Sequence, residues 1–270
     1  MSRTRLAVWG DPIAHSKSPD LHAAAYRVLG LDWEYGRRRV SAEDFGANLG
    51  GLDDTWRGLS LTMPLKEEAF RAAATRDRHA ELTGAVNTLL LSAAPAGFNT
   101  DVGGIVDALA EAGITAVESA RILGSGATAA SALVAASEIG ATRVEVRARR
   151  PERAAGLVAL GDRMGVVVDV RPLDGRTGSV DLTLATLPSG TALPAETAAA
   201  LAETGGTLFD AAYAPWPSAL ASAWRDCTVV SGLGMLLHQA VRQIRIFRHG
   251  DPAIALPEED AVIAAMRAAL

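Results

Sequence analysis

The chain has 270 residues, 49% of them hydrophobic, as is typical of a globular protein that buries a sizeable core. Its formal net charge of -5 comes from interspersed acidic and basic residues, without the basic stripe that a nucleic-acid partner would demand. The single cysteine, Cys227, excludes an internal disulfide and a metal site built from cysteines of one chain. We expect no signal peptide and no membrane span, and therefore a cytoplasmic protein that binds neither nucleic acid nor membrane.

In the first half of the chain, short β-rich runs alternate with alanine-rich helical patterns. The predicted strands are residues 6–8, 33–40, 58–62 and 86–91. Between the first two, Ser18 and Pro19 begin a helix and Gly30 ends it, as serine caps, early prolines and terminal glycines do. This alternation predicts an α/β protein with mostly parallel sheets and crossover helices.

A domain boundary is predicted near residue 102, where a helix runs to about residue 112 and a second strand, turn and helix series then begins at residue 121. The remaining predicted strands are 144–146, 166–170, 182–185, 208–209 and 228–230, and the predicted C-terminal helices are 234–247 and 258–269.

The sequence Gly-Ser-Gly-Ala-Thr-Ala at 124–129 follows an apolar run and begins a helical stretch, which is the context of a dinucleotide phosphate turn. In such a turn, Gly124 permits the tight bend and Gly126 lets the backbone approach a pyrophosphate. The small Ala129 allows the helix to pack closely on the strand. An ordinary turn rich in small residues is the alternative.

The end of the next predicted strand bears on the choice between NAD and NADP. No acidic residue stands where it would bond a free ribose 2′-hydroxyl, and Arg147-Ala148-Arg149-Arg150 instead offers guanidinium groups to a 2′-phosphate. NADP is therefore favoured. The alternative is a solvated basic loop before the helix that begins near Pro151.

Ser16 and Ser18 lie in a loop that runs into a helix N-terminus, where a carboxylate is attracted, although Ser18 alone is more often a helix cap. Lys66 is predicted in the first turn of another helix, where the helix dipole disfavours positive charge. A lysine so placed can exchange its proton near neutral pH, as an acid/base residue must. Pairing with neighbouring Glu67 or Glu68 is the alternative.

Asn87, near a strand start, is either a ligand contact or a satisfied core amide. Asp101, in the sequence Asn-Thr-Asp, either orients a substrate hydroxyl beside Lys66 or, like Thr100, caps the following helix. The histidines at 22, 79, 238 and 249 lack metal-ligand spacing, so no metal site is predicted. The absence of a Gly-x-Ser-x-Gly sequence argues against a hydrolase.

The order of these motifs resembles the shikimate dehydrogenase family. The matching motifs are Ser-x-Ser-Pro at 16–19, Thr-x-Pro-x-Lys at 62–66, Gly-Ala-Val-Asn-Thr at 84–88, Asn-Thr-Asp at 99–101, the glycine turn, Asp-x-x-Tyr-x-Pro at 210–215, and the Gly-Leu-Gly-Met to Gln segment at 232–239. The resemblance covers nearly the whole chain. It implies NADPH-dependent, reversible reduction of 3-dehydroshikimate to shikimate, a step of chorismate and aromatic amino acid biosynthesis.

The resemblance also implies domains and roles. Residues 1–102, completed by helices in 238–270, would form the catalytic substrate domain, and residues 103–237 a Rossmann-type NADP-binding domain, with a cleft between them. The catalytic pair would be Lys66 and Asp101. The substrate site would comprise Ser16, Ser18, Thr62, Lys66, Asn87, Asp101, Tyr213 and Gln239. The cofactor site would comprise Gly124, Ser125, Gly126, Ala127, Thr128, Ala148, Arg149 and Arg150, with Thr186, Gly232 and Met235 toward the nicotinamide.

Some positions depart from the family pattern. The family often has Gly where Ala127 stands, Asn-Arg-Thr at 148–150 and Ser where Leu187 stands, and these changes concern cofactor affinity more than chemistry. Ser rather than Thr at Ser18 is more similar to shikimate-using enzymes than to quinate-using relatives. A quinate/shikimate dehydrogenase using NAD(P) and a non-catalytic nucleotide-binding homologue are the alternatives, and a monomer and a homodimer are both compatible with the sequence.

Overall fold

The computed structural model describes residues 3–225 and 227–270. Its strands are β1 (Thr4–Gly10), β2 (Trp33–Arg39), β3 (Trp56–Leu61), β4 (Thr75–Arg76), β5 (Thr88–Leu90), β6 (Ala96–Phe98), β7 (Ser119–Leu123), β8 (Arg143–Ala148), β9 (Val167–Pro172), β10 (Leu182–Ala185), β11 (Thr207–Asp210) and β12 (Val229–Ser231). Its helices are α1 (Ser18–Val28), α2 (Phe45–Gly50), α3 (Lys66–Ala72), α4 (Arg78–Thr83), α5 (Thr100–Glu111), α6 (Ala127–Glu138), α7 (Ala155–Met164), α8 (Ala195–Thr204), α9 (Gly232–His249) and α10 (Glu259–Ala268). Within the described ranges, no helix combines the length and apolar character needed to cross a membrane.

The chain divides into two compact units. The first comprises Met1–Asp101 together with Leu237–Leu270, and the second comprises Val102–Leu236. The chain passes from the first unit to the second near the start of α5 and returns within α9. Each unit is built around its own sheet.

The sheet of the first unit has the strand order β2-β1-β3-β5-β6-β4. Strand β1 pairs in parallel with β2 and β3, whereas β5 is antiparallel to both β3 and β6. The short connection between β5 and β6 forces these two strands to be antiparallel, because a parallel pair needs a crossover of a dozen residues or more. Trp9, Leu59 and Leu89 are fully buried in the core beneath the sheet. The predicted mostly parallel α/β fold is confirmed, but the short strands β4 and β6 were not predicted.

The sheet of the second unit is entirely parallel, with the order β12-β11-β10-β7-β8-β9. All four residues of β10 are buried, as expected for a central strand covered on both faces. The strand order reverses between β7 and β10, which is the arrangement of a doubly wound Rossmann-type fold. Ligands of such folds bind beyond the carboxyl ends of the strands beside that reversal.

The start of α1 differs from the prediction. The cap position is Lys17, whose side chain makes no capping hydrogen bond, and Ser18 is the first residue of the helix. The Ser16 hydroxyl instead accepts from the backbone N–H of Ser18 at 3.3 Å. The predicted capping role of Ser18 is therefore wrong, because Ser18 lies one residue beyond the cap position, in the first turn of the helix. Gly30 follows the helix with φ +62°, a conformation that favours glycine.

Candidate active site

The predicted substrate residues of the first unit lie at one edge of its sheet. Ser16 follows β1 and Thr62 follows β3, and the carboxyl ends of these parallel strands share that edge. Asp101 follows β6, which runs in the same direction as β3. Asn87 precedes β5, which runs the opposite way, so it reaches the same edge. Four segments that are distant in sequence thus converge where parallel sheets commonly place their ligands.

Close packing holds two of these loops together. A Cβ atom on Gly10 would collide with Thr62 Cγ2, so a glycine is required at the end of β1. The backbone N–H of Asp11 donates to the carbonyl oxygen of Met63 at 2.9 Å. The loop that leads to Ser16 is therefore fixed against the loop that leads to Lys66.

Lys66 is the first residue of α3, and its side chain pairs with Asp101. The Lys66 ammonium donates to Asp101 Oδ2 at 2.5 Å, and the two side chains are only 15% and 7% exposed. The alternative partner Glu68 instead binds Arg71 on the same helix. The structure thus brings together the two residues of the predicted catalytic pair and buries their contact.

Asn87 holds the other side of the Asp101 carboxylate. Its Nδ2 donates to Asp101 Oδ1 at 2.8 Å and to Thr100 Oγ1 at 2.9 Å. Its Oδ1 accepts from the Thr100 backbone N–H at 2.9 Å and from the Thr88 hydroxyl at 2.8 Å. Asn87 is therefore a satisfied buried amide and a part of the cluster at once. Each Asp101 oxygen has its own donor, which fixes the orientation of the carboxylate beside Lys66.

A buried polar group behind this edge was not predicted from the sequence. Gln243, on α9, is 2% exposed, and its Oε1 accepts from Ser60 Oγ at 2.7 Å. Its Nε2 donates to the backbone carbonyl of Asn87 at 3.3 Å. Ser60 Oγ also accepts from the Tyr35 hydroxyl at 2.6 Å. The available signal was a glutamine four residues after Gln239, on the apolar face of a predicted helix.

His22 completes this group. Burial lowers the pKa of His22 to about 3, and the hydrogen bond to Gln243 only partly opposes that effect. The ring is thus neutral near pH 7. Because Gln243 Oε1 is an acceptor, His22 donates to it from Nε2 at 3.3 Å and accepts at Nδ1 from the Tyr26 hydroxyl at 3.0 Å. The ring also stacks on Tyr35, with 3.8 Å between the ring centroids.

The predicted phosphate turn of the second unit joins β7 to α6. Gly124 has φ +123°, and a Cβ atom there would lie 2.5 Å from Thr186 Oγ1. The Thr186 backbone N–H donates to the carbonyl of Leu123 at 2.9 Å, so the ends of β7 and β10 are tied together. Gly126 precedes the helix without a side-chain cap, and a Cβ atom on it would meet nothing within 4 Å. The space beside Gly126, at the start of α6, is therefore open.

The basic segment at the end of β8 divides into two parts. Arg149 and Arg150 are exposed beyond the carboxyl end of the strand, whereas Ala148 is buried. Arg147 is only 2% exposed, and its guanidinium donates to Glu145 and to backbone carbonyls at the end of β9 and in the loop after it. The expectation that Arg147 belongs to a phosphate-binding cluster is therefore wrong, because its donors face the protein interior.

The remaining predicted residues lie beyond β11 and on α9. The buried carboxylate of Asp210 accepts a backbone N–H and a serine hydroxyl from the loop that carries Tyr213. Tyr213 is half-buried, and this burial raises the pKa of its phenol. A Cβ atom on Gly232 would collide with the Ala211 carbonyl, so glycine is required where α9 begins. Met235 and Gln239, one turn apart on that helix, are both buried.

A cavity of about 840 Å³ also opens in the second unit, between β7–β9 and the loop after β9. Glu145 and Arg147 line it, and none of the other predicted site residues does. Because these two side chains already bind each other, the cavity is not the candidate site.

Comparison with known proteins shows the family of the chain. The model of the shikimate dehydrogenase substrate binding domain matches residues 8–89. A shikimate dehydrogenase (NADP(+)) of Methanothermobacter thermautotrophicus is 33% identical, over 93% of this chain and 93% of that protein. One from Thermus thermophilus is 35% identical, over 90% and 92% respectively. The chain belongs to the shikimate dehydrogenase family.

Solved structures of the shikimate dehydrogenase family have the same fold. The crystal structure of the Mycobacterium tuberculosis enzyme is 40% identical with a TM-score of 0.83, and the match covers 99% of this chain and 100% of that one. The Thermus thermophilus enzyme, solved in complex with NADP(H) and shikimate, is 31% identical with a TM-score of 0.82 over 98% and 99%. The segment that matches the family's substrate binding domain contains Ser16, Ser18, Thr62, Lys66 and Asn87.

Proposed function

We propose that this chain is an NADP(H)-dependent oxidoreductase that interconverts 3-dehydroshikimate and shikimate. The observation that carries the proposal is the buried contact of 2.5 Å between Lys66 and Asp101. It joins a group that can exchange a proton to a carboxylate that can orient it, at the sheet edge where the substrate residues converge. Family membership supplies the substrate and the cofactor.

The substrate has a carboxylate and several ring hydroxyls, and the first unit offers partners for both. The hydroxyls of Ser16 and Ser18 are assigned to the carboxylate, since both stand where α1 begins. Lys66 and Asp101 are assigned to the oxygen of the reacting carbonyl or hydroxyl group and to the ring hydroxyl beside it. The other proposed contacts to the ring are Thr62, Asn87, Tyr213 and Gln239.

Lys66 is the proposed acid/base residue. In the direction of reduction, its ammonium gives a proton to the oxygen of the former carbonyl, and in oxidation its amine takes that proton back. Asp101 holds the Lys66 Nζ atom in place and is itself held by Asn87. Such proton transfer contributes about 10²–10⁴-fold to rate. NADPH, when bound, supplies the hydride.

The second unit fits NADP through its open glycine turn and its exposed arginines. The first-turn N–H groups of α6, with Gly124 to Thr128, suit the pyrophosphate, because Gly126 leaves the approach to them open. Arg149 and Arg150 suit the 2′-phosphate, which guanidinium groups bind in a bidentate manner. Thr186, Gly232 and Met235 are assigned to the nicotinamide end, and Ala148 to the adenosine end.

The proposed setting is the cytoplasm, since a lone cysteine suits a reducing compartment. There the reaction would serve chorismate and aromatic amino acid biosynthesis.

A spectrophotometric panel tests the proposal directly. The reduction of NADP⁺ and of NAD⁺ would be followed with shikimate and with quinate, at equal protein concentration. We expect NADP⁺ with shikimate to give the highest kcat/KM. A preference for quinate with NAD⁺ would instead identify a quinate dehydrogenase, and no turnover in any pairing would contradict the proposed activity.

A further inference from the structure

The connection between β9 and β10 crosses the second unit without a helix. Residues 173–181 form this connection, and they lead from the carboxyl end of β9 to the amino end of β10, because all strands of this sheet are parallel. The carbonyl groups of such a loop cannot be satisfied within a helix, so buried ones need other donors. Two buried arginine side chains of the sheet, Arg121 and Arg147, supply them.

Arg147 holds the beginning of this connection. Its Nη1 donates to the carbonyl oxygens of Pro172 at 3.2 Å and Asp174 at 3.0 Å, and its Nη2 donates to that of Arg176 at 2.5 Å. A guanidinium presents its donors in a rigid planar fork. One side chain thus fixes the position of three carbonyls between residues 172 and 176.

Arg121 holds a later part of the connection. It pairs with Glu145 in the register of β7 and β8, two residues from Arg147 toward the amino end of the sheet, and its Nη2 donates to the Gly178 carbonyl at 2.5 Å. Glu145 lies between the two arginines: its Oε1 accepts from Arg147 at 2.7 Å and its Oε2 from Arg121 at 2.6 Å. Removal of either guanidinium therefore leaves Glu145 paired with the other.

The backbone of Arg147 lies between the parts of the proposed cofactor site. Its carbonyl accepts from the backbone N–H of Gly124, in the glycine turn, at 2.9 Å. The next residue, Ala148, pairs with Pro172 in the register of β8 and β9, and the two arginines assigned to the 2′-phosphate follow Ala148. The loop that the Arg147 side chain holds therefore begins directly beside the segment that carries those arginines.

We propose that Arg147 is a positioning residue for the 2′-phosphate of NADP(H). Its side chain does not bind the phosphate. It holds residues 173–176 against the end of β8, and this loop fixes the backbone from which the exposed Arg149 and Arg150 project. Long side chains lose conformational freedom when they bind, so a fixed backbone beneath them lowers the free-energy cost of binding the phosphate. The inference rests on the proposed function, which assigns Arg149 and Arg150 to the phosphate, and adds a residue with no assigned role.

Arg147→Met and Arg121→Met form a matched pair. Each removes one buried guanidinium and leaves Glu145 with one arginine. We expect Arg147→Met to raise the KM for NADP⁺ about tenfold, the effect of one hydrogen bond to a charged group, with kcat and the KM for NAD⁺ within about twofold. Arg121→Met should leave all three constants within about twofold, because Gly178 lies further from the end of β8.

Isothermal titration calorimetry measures the same contact without turnover. Adenosine 2′,5′-bisphosphate carries the 2′-phosphate and 5′-AMP lacks it. Arg147→Met should weaken binding of the bisphosphate about tenfold and leave that of AMP within about twofold. Thermal unfolding of each variant would set a temperature at which all are folded. If a methionine variant does not fold, Arg147→Lys and Arg121→Lys keep the positive charge beside Glu145 without the fork, and only Arg147→Lys should weaken the bisphosphate, about threefold.

The outcomes separate this inference from the proposed function. If Arg147→Met and Arg121→Met weakened bisphosphate binding equally, or neither did, Arg147 would have no positioning role. If Arg147→Met raised the KM for NADP⁺ and NAD⁺ alike, it would not act on the 2′-phosphate. A wild-type chain that bound the bisphosphate no more tightly than AMP would contradict the proposed 2′-phosphate site itself, and the inference with it.

Discussion

The roles proposed for Lys66 and Asp101 depend on the residues that surround them. Lys66 stands at the start of α3 with an acidic residue on each of the next two positions, yet its partner lies 35 residues further along the chain. Asp101 is oriented from the opposite side by Asn87. The sequence motifs predicted which two residues meet, whereas the burial of their contact depends on the tertiary fold.

Substituting Lys66 should separate catalysis from binding. Lys66→Met removes the proton donor, and Lys66→Arg keeps a cation that does not give up its proton. For both variants we expect kcat to fall about 10²–10⁴-fold, with a much smaller change in the KM for shikimate. Steady-state kinetics would measure both constants. Lys17→Met is the matched control, because Lys17 is the other lysine of the chain and binds the Leu270 carbonyl at 3.0 Å.

The control also defines what would contradict the assignment. Lys17→Met should keep kcat within about twofold of the wild type. A Lys66→Met variant with near-wild-type kcat would remove Lys66 from its proposed role.

Arg149 and Arg150 should determine the preference of the chain for NADP⁺ over NAD⁺. Removing a guanidinium that binds a phosphate costs about 1.5–3 kcal/mol, so Arg149→Ala or Arg150→Ala should raise the KM for NADP⁺ about 10- to 100-fold. The KM for NAD⁺, which lacks the 2′-phosphate, should hardly change. Arg163→Ala, at the far end of α7, removes an exposed arginine as a control. An equal rise for both cofactors would argue against a 2′-phosphate site.

At the scale of elements, the turn between β7 and α6 contains two glycines, and each position favours glycine for a different physical reason. Gly124 has a positive φ and no room for a Cβ atom beside Thr186, whereas Gly126 has an ordinary φ and open space around it. Gly124 is needed for the conformation of the turn, whereas Gly126 leaves space open beside the N-terminus of α6.

Alanine at each glycine should therefore produce opposite results. Gly124→Ala should lower the free energy of unfolding by about 1–3 kcal/mol, because the backbone is strained and Thr186 must move. Gly126→Ala should unfold like the wild type but raise the KM for NADP⁺. Denaturant unfolding and cofactor titration would be measured on both variants. An unstable Gly126→Ala variant with a normal KM for NADP⁺ would contradict the assigned phosphate approach.

Sequence patterns located most elements because burial determines those patterns. β10 is buried along its whole length and was predicted as residues 182–185, the range that the structure has. The two-residue strand β4 and three-residue β6 are too short to show any periodicity, so they were not predicted. The start of α1 was misjudged because a serine before a proline matches a cap pattern that the tertiary structure did not use.

At the scale of the whole molecule, His22 makes the stability of the fold depend on pH. Its pKa in the folded chain is about 3, below its ordinary value of 6.5, so between these pH values the unfolded chain binds one more proton. The stability that His22 provides is therefore complete above pH 6.5 and is lost as the pH falls toward 3. Near pH 5, the free energy of unfolding should decrease by about 1 kcal/mol per pH unit from this residue alone.

Denaturant unfolding between pH 7 and pH 4 would measure this contribution. His22→Gln should be less stable than the wild type at pH 7, because the stacking on Tyr35 is lost, yet it should lose less stability on acidification. His15→Asn, at an exposed loop position, should keep the wild-type pH dependence. Identical acid sensitivity of His22→Gln and the wild type would show that His22 stays accessible to protons in the folded chain.

The sequence by itself determined the α/β class, the family, the glycine turn and the identity of the proposed catalytic pair, because these depend on local periodicity and on motifs within a few residues. The tertiary structure alone decided that Arg147 faces the interior, that Ser18 is not a cap, and that Gln243 contacts both Ser60 and the Asn87 backbone. These outcomes depend on which donors and acceptors meet after distant segments pack together, and a buried polar group takes whatever partner the packing supplies.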